Sequence, residues 1–420
     1  MMRVGIDAHK KSCTTCVFHD SDVLSSTPSE RFVFKTTMRG VTEFMERIPE
    51  GSMVVVESST TGKAISKLLS GRYLVHMIAP PERKPSIKTD KRDAERIVKE
   101  DVLGYVRRAY IPTQRIEELR LIVGKQMEIG VKISAVKSQV HALLERNLLQ
   151  SEFEDLSDIF GVEGLGRLSF LPLPSSEKLT LAMYLQELRL YASQHEQIEV
   201  EVARIAEADV DCRNLMSHPG IGPFVAVAIK ARVGDASRFP TKKHLCSYAG
   251  VVPKADNTGE RVTEHNHIKH GDDILKYALT CSVNAAARAK TDCAVKRFYL
   301  KQIGKGKSAQ DAEVAAARKL ACIVWKLLTS KQRYVEEDRY LTARKMKSLS
   351  QTAGRNLKHA TKPEDVSTLT ASLKSETDVL ERYPEQMRRT LKHNGRNEKR
   401  SKRSSSSVER TSEVEGALGK

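Results

Sequence analysis

Four acidic residues pose the first chemical question. Asp7 closes the short apolar run RVGID, Glu57 closes MVVVES, and Asp90 and Asp93 stand three apart in IKTDKRDAERI, residues 87–97. Each apolar run reads as a buried strand that ends on an acid. If the two strands are neighbours, Asp7 and Glu57 emerge at the same sheet edge. A helix starting at that edge presents Asp90 and Asp93 on one face, because residues three apart are neighbours on a helix. Four carboxylates gathered in this way repel one another unless a cation joins them. Two Mg²⁺ ions about 4 Å apart suit hard oxygen ligands of this kind, and such a pair serves in-line phosphoryl transfer. The same stretch has a plainer explanation. Thr89 is a good N-cap, Asp90 and Asp93 suit the positive end of the helix dipole, and Lys88, Lys91 and Arg92 read equally as phosphate contacts or as a solvated basic face. Residues 87–97 alone do not choose between these readings.

The elements that must position the acids follow from the pattern of apolar residues. Residues 1–105 read as three strands (RVGID, CTTCVFH, RFVFKT), a helix (VTEFMERI), a strand (MVVVES), a helix closed by Gly71 (TGKAISKLLSG), a strand (YLVHMIA) and the helix opened by Thr89. That order predicts an α/β domain beginning with a meander. Two amphipathic helices follow. One spans about 113 to 150 and carries Ile116, Leu119, Val123, Met127, Ile133, Val136, Val140 and Leu143; the other spans about 180 to 207. They flank FLPLPSS, and their stripes predict a coiled coil, either antiparallel or between chains. Near MSHPGIGPFVAVAIKARVGD a Pro-Gly-x-Gly turn resembles a helix-hairpin-helix, whose amides at Gly220 and Gly222 can face a phosphate. The stretch after it, YAGVVPKADNTGERVTEHNHIKHGDD, reads as a loop rich in turn residues, with further helix to about 330. Beyond 345 the chain turns too polar to bury a core, and most of 345–420 is expected to be disordered. The expected divisions are thus 1–105, 106–210, 211–330, and 331–420, the last a helical extension and basic tail.

Bulk properties narrow the class. The 420 residues include 70 Lys and Arg against 53 Asp and Glu, a net charge of +17, which suits a polyanionic partner. Aromatic residues are only 5%, so a platform for stacking single-stranded bases is not evident. No apolar run reaches the eighteen or so residues of a membrane helix, and MMRVGIDAHKKS breaks into charge before a signal-peptide core forms. The expectation is a soluble, cytoplasmic protein without a membrane partner. Seven scattered cysteines do not make a disulfide framework. Cys13 and Cys16 form a lone C-x-x-C inside a strand, where positions three apart face opposite sides, so a zinc site is not expected. His265, His267 and His270 lack acids or cysteines at ligand spacing.

VGIDAHKKS, VVVES and KTDKRDA together resemble the Asp-Glu-Asp-Asp (DEDD) set of the insertion-sequence-110 transposases, which include the Piv-type DNA invertases. HPGIGPFVAVAIKARVGDASRFPTKKHLCSYAGVVPKADNTGERVTEHNHIKHGDDILKYAL resembles that family's C-terminal domain, so the likeness spans roughly residues 2–330. It implies a RuvC-like, ribonuclease-H fold for the N-terminal domain, followed by the coiled coil and a mainly α transposase domain. It also makes Asp7, Glu57, Asp90 and Asp93 the metal-binding catalytic acids, with Mg²⁺ as cofactor. The family places a nucleophilic serine before a glycine, a few residues after A-G-x-x-P. Here Ala249, Gly250 and Pro253 match, and the position falls on Thr258, before Gly259. Threonine carries a hydroxyl, but its extra methyl crowds attack on phosphorus. Lys254 and Arg261 flank it and could steady a charged transition state, or belong to an exposed loop. The resemblance further implies DNA ends and target as partners, a structured bridge RNA, a homodimer or tetramer, and a nucleoid-associated location in a prokaryotic cytoplasm. Two other functions stay open: a metal nuclease in which Thr258 is inert, and a catalytically silent nucleic-acid-binding relic.

Overall fold

The computed structural model describes residues 2–19, 23–24, 27–79, 90–105, 108–258, 261–268 and 271–355, with the side chains of 90–91, 254–258 and 261–268 excepted. The chain divides into two units, Met1–Gly354 and Arg355–Lys420, and the elements below belong to the first.

Strands β1 (Met2–Ala8), β2 (Ser12–His19) and β3 (Glu30–Lys35) form the expected meander; α1 (Met38–Arg47), β4 (Met53–Glu57), α2 (Thr60–Leu69), β5 (Leu74–Ile78) and α3 (Asp90–Leu103) follow. The sheet order is β3-β2-β1-β4-β5, with β1 parallel to β4 and β4 parallel to β5. Alternation divides the sheet into two apolar faces. Val4 and Ile6 of β1, with Val54 and Val56 of β4, pack beneath Phe44, Ile65 and Leu69 of α1 and α2. Val55 and Cys16 face the other way, against Ala94, Ile97 and Val98 of α3. Cys13 lies in the first cluster and Cys16 in the second, so the C-x-x-C pair is split across the sheet as its spacing predicts. Helix α2 is closed by Ser70, whose N–H reaches the Ser66 carbonyl, rather than by Gly71.

Helices α4 (Gln114–Arg146), α5 (Val162–Leu168) and α6 (Ser175–Ala208) come next. Leu143 and Leu144, near the end of α4, share a cluster with Leu181 and Leu185 near the start of α6. At the other end Ile116, Leu119 and Val123 meet the region of Val202, Ala203 and Ile205. The two helices therefore pair antiparallel within one chain, one of the two arrangements their stripes allow. At 33 and 34 residues they form an arm roughly 50 Å long.

The remaining body holds α7 (Val210–Met216), α8 (Pro223–Val233), α9 (Lys242–Tyr248), β6 (Pro253–Thr258), β7 (Arg261–Ile268), α10 (Asp273–Arg288), α11 (Ala294–Ile303), α12 (Ala309–Ser330) and α13 (Arg339–Ala353). One expectation is corrected here, and one boundary is sharpened. The stretch read as a loop forms an antiparallel pair, β6 with β7. Its turn residues mark a hairpin, and Val262, Thr263 and Ile268 favour the extended backbone. Order also continues past 345, because α13 runs to Ala353 and rests on α6, where Arg204 Nε donates to the Ala353 carbonyl at 3.1 Å. The tail beyond 355, expected to be disordered, lies outside the described residues. No helix among the described residues is long and apolar enough to cross a membrane.

Candidate active site

Asp7 and Glu57 are brought together by strand register. Gly5 pairs with Val55 and Ile6 with Val56, so the parallel strands carry the two acids to the same level at their C-terminal ends. Alternation then aims Asp7 with Gly5, and Glu57 with Val55, toward the face covered by α3. The close approach of α3 depends on Gly5. A Cβ there would stand 2.1 Å from the Ala94 carbonyl oxygen and 2.6 Å from Val98 Cγ2. The same carbonyl accepts a hydrogen bond from Cys16 Sγ at 3.0 Å, which fixes the helix over β1 and β2. Asp93, one residue earlier, is thereby buried beside the strand ends. On the β4 side Gly62, near the start of α2, leaves room for the Glu57 carbonyl, which a Cβ would meet at 2.1 Å, and donates its N–H to Ser59 Oγ at 2.9 Å.

A residue that the spacing of the acids did not reveal stands among them. Arg96 Nη2 lies 3.3 Å from Glu57 Oε2, its Nε 3.4 Å from Asp93 Oδ1, and its Nη1 2.7 Å from Glu100 Oε2. The signal was present as Asp93-x-x-Arg96 and Arg96-x-x-x-Glu100, the i/i+3 and i/i+4 pairings of a helix. His9 Nε2 sits 3.2 Å from Asp7 Oδ2. Asp90 opens α3, but its side chain is outside the described residues, as are those of Lys91 and all of Lys88 and Thr89. Arg92 is exposed.

The set fits a hard divalent cation. Asp93 Oδ2 is buried and has no hydrogen-bond partner among the described residues, an arrangement that costs free energy unless something occupies the position. Arg96 supplies positive charge to Glu57 and Asp93, which marks where a cation is wanted. Among the described residues no three His, Cys, Asp or Glu side chains close into an ion-sized group; Asp90, the fourth acid, is not among those side chains.

Thr258 belongs to the second sheet, as the last residue of β6 opposite Arg261 of β7. The feet of this hairpin are held firmly. Gly250 has φ +65°, and a Cβ on Gly271 would stand 2.3 Å from the Gly250 nitrogen, so the two glycines meet back to back. Asp272 N–H donates to the Tyr248 carbonyl at 2.9 Å. The Asp272 carboxylate accepts from Arg232 Nε at 2.7 Å and from Tyr248 Oη at 3.2 Å. Burial alone would push this carboxyl up, but hydrogen bonds from Arg232 and the Leu275 amide hold it below the ordinary carboxylate range. The side chains of Lys254, Thr258, Arg261, His265 and His267, and all of His270, lie outside the described residues.

Residues 212–299, from α7 into α11 and including this hairpin, match the family described as Transposase IS116/IS110/IS902. Over 303 residues the chain is 25% identical to a "Probable family 20 transposase" of Pseudomonas aeruginosa, covering 70% of this chain and 88% of that protein. It is 26% identical over 276 residues to the transposase for insertion sequence element IS1111A of Coxiella burnetii, 61% of this chain and 72% of that protein. Over residues 212–299, and across these relatives, the chain is similar to transposases of the IS116/IS110/IS902 family. A shorter likeness, 29% over 115 residues, joins it to the pilin gene-inverting protein of Moraxella bovis, across 27% of this chain and 35% of that one.

Within the helical body the two turn glycines differ. Gly220 is buried, its N–H donates to His218 Nδ1 at 3.2 Å, and a Cβ there would meet the Ser282 carbonyl at 2.1 Å. Its amide and its missing side chain both serve internal packing. Gly222 is the N-cap of α8, and a Cβ there would meet nothing within 4 Å. Behind the turn, Lys345 of α13 donates to the carbonyls of Met216, His218 and Ile221 at 2.7–3.0 Å. Burial lowers its ammonium to about 8. Burial, aided by Lys345, likewise lowers the His218 imidazole to about 3.

Proposed function

We propose that this protein is a DNA transposase, a site-specific recombinase that cleaves and rejoins DNA strands by metal-dependent phosphoryl transfer. The observation that carries the reading is the register that levels Asp7 with Glu57 under α3, beside a buried Asp93 oxygen without a partner. Asp7, Glu57 and Asp93, with Asp90 on the same helix, would hold Mg²⁺. The ion supplies Lewis-acid stabilisation of charge on the transferred phosphoryl group. The strand order and the α3 crossing support a RuvC-like, ribonuclease-H fold for the N-terminal domain.

The chain's own residues do the rest. Gly5 and Cys16 fix α3, and α3 fixes Asp93. The hairpin carries Thr258 as nucleophile. An Oγ–P bond forms as a strand P–O bond breaks, and the leaving oxygen takes up a proton. The threonine ester can then be attacked by a strand hydroxyl, so no high-energy cofactor is consumed. The basic surplus of +17 and the open N-cap at Gly222 support DNA as partner. Guidance by a structured RNA and assembly of several copies belong to the same proposal and rest on the family resemblance.

A covalent-trapping assay tests the reading. The protein is incubated with element-end DNA, its flanking noncoding RNA and Mg²⁺, then resolved on denaturing gels beside Thr258→Ala, Thr258→Ser and Asp93→Asn. The expected result is a protein–DNA adduct that persists in Thr258→Ser and disappears in Thr258→Ala and Asp93→Asn. Cleavage without an adduct, unchanged in Thr258→Ala, would leave a metal nuclease and remove the nucleophile.

A further inference from the structure

We propose that Arg96 is a resident counter-cation of the acid cluster, one that competes with the divalent ion for Glu57 and Asp93 and withdraws onto Glu100 when the ion binds. This rests on the reading of those acids as metal ligands. Three features of the geometry carry it. First, the guanidinium touches two of the proposed ligands at once, Glu57 at 3.3 Å and Asp93 at 3.4 Å, so it occupies oxygens that an ion would need. Second, both contacts are long for hydrogen bonds of this charge type, whereas that to Glu100 is 2.7 Å. The side chain is anchored on Glu100 and leans on the acids. Third, Glu100 lies one helical turn beyond Arg96 and away from the strand ends, so it offers a retreat along the same helix face.

The physical need is plain. Carboxylates brought to one sheet edge repel one another in the metal-free protein, and Arg96 relieves this without entering the metal's own position at Asp93 Oδ2, which has no partner among the described residues. A positive charge held there also opposes a second positive charge. Arg96 therefore raises the concentration of divalent ion at which the site loads and confines loading to conditions that supply it.

The test is a Mn²⁺ titration of the full chain without nucleic acid, following the free ion by electron paramagnetic resonance, with thermal melts to verify folding. Arg96→Gln keeps bulk and planarity but loses the charge. It is expected to bind Mn²⁺ on the order of tenfold more tightly, the worth of one charge-assisted hydrogen bond removed from competition. Glu100→Gln is expected to bind more weakly, because the guanidinium loses its anchor and closes on the acids. The double variant is expected to match Arg96→Gln, since Glu100 acts through Arg96. Arg96→Lys, which keeps a charge but not the fork, should fall between wild type and Arg96→Gln, and it serves if Arg96→Gln does not fold.

A folded Arg96→Gln that binds as wild type does, or more weakly, overturns the proposal and leaves Arg96 a structural ion pair. An equal weakening by Glu100→Gln in both backgrounds overturns the retreat, since Glu100 would then act by charge alone. Asp93→Asn distinguishes the failure of this idea from failure of the metal reading. If wild type and Arg96→Gln bind no better than Asp93→Asn, the acids are not metal ligands and the inference falls with them.

Discussion

Replacing Gly5 by alanine puts one methyl group where the site is assembled. The new Cβ would sit 2.1 Å from the Ala94 carbonyl oxygen and 2.6 Å from Val98 Cγ2. Contacts of Cβ below 3.0 Å are essentially never observed, so helix and strand must part by at least the difference, 0.9 Å. A flexible side chain can rotate away, but the obstacle here is helix backbone, and the hydrogen bond from Cys16 Sγ to the same oxygen would stretch with it. Overpacking of this kind costs about 1–3 kcal/mol. The functional loss should exceed the loss of stability, because Asp93 travels with α3 while Asp7 and Glu57 stay on the strands, and a misplacement of about 1 Å costs on the order of 100-fold in rate. Gly71→Ala is the control: a Cβ there meets nothing within 4 Å and the backbone is not left-handed. Thermal melts and Mg²⁺-dependent cleavage of element-end DNA are measured for both variants. Gly5→Ala should melt lower than Gly71→Ala and cleave about two decades more slowly at a temperature where both are folded. Equal melting and equal cleavage would refute the claim that the close approach of α3 to β1 builds the site.

The two glycines of the Pro-Gly-x-Gly turn separate packing from binding. Gly220→Ala should destabilise the helical body by about 1–3 kcal/mol through the clash with Ser282, while Gly222→Ala should leave melting unchanged and weaken DNA binding in filter assays. His218 should make the protein acid-sensitive. Its imidazole is held near 3 in the fold against an ordinary 6.5, so the unfolded chain binds the extra proton as pH falls below 6.5. Stability contributed by neutral His218 is thus present above 6.5 and lost on acidification, by about 2 kcal/mol at pH 5. Denaturant melts of His218→Gln should show a shallower loss between pH 7 and 5 than wild type, and parallel curves would contradict this. Lys345 has the same sign in a higher window. Burial lowers its ammonium to about 8 against an ordinary 10.5, so between those values the unfolded chain holds the extra proton, and the stability of wild type relative to Lys345→Met should rise as pH goes from 8 to 10.

The strands and the acids at their ends were legible because the signals are local: an apolar run, a period of two, an acid at the last position. Gly5 and Val55 decide which face Asp7 and Glu57 share, and that too follows from alternation once the register is known. Arg96 escaped notice because its partners include Glu57, 39 positions away, and nothing local says where an arginine fork will reach. The hairpin of β6 and β7 was hidden by its own turn chemistry, since residues that favour a tight reversal also enrich loops. Helix α13 was hidden for another reason. With Lys, Arg, Ser and Thr at most positions it looks like tail, and its order comes from Leu349 and Ala353 in the shared core and from Lys345 on three carbonyls. Antiparallel pairing of α4 with α6 within one chain was one of two readings their stripes allowed; the clusters at the two ends select it.

That late helix has a consequence for how the molecule comes into being. The N-terminal sheet is complete once α3 has ended at Leu103, whereas the helical body gains its last piece only with Ala353. The interval is 250 residues, the difference between those positions. At a synthesis rate of about 5–20 residues per second it lasts roughly 12–50 s. Until then the proposed acid site can already be formed on a nascent chain that still lacks the cover α13 gives to α6 and to the turn at residues 216–221. The proposed acid site is ready first, and the helical body is closed last.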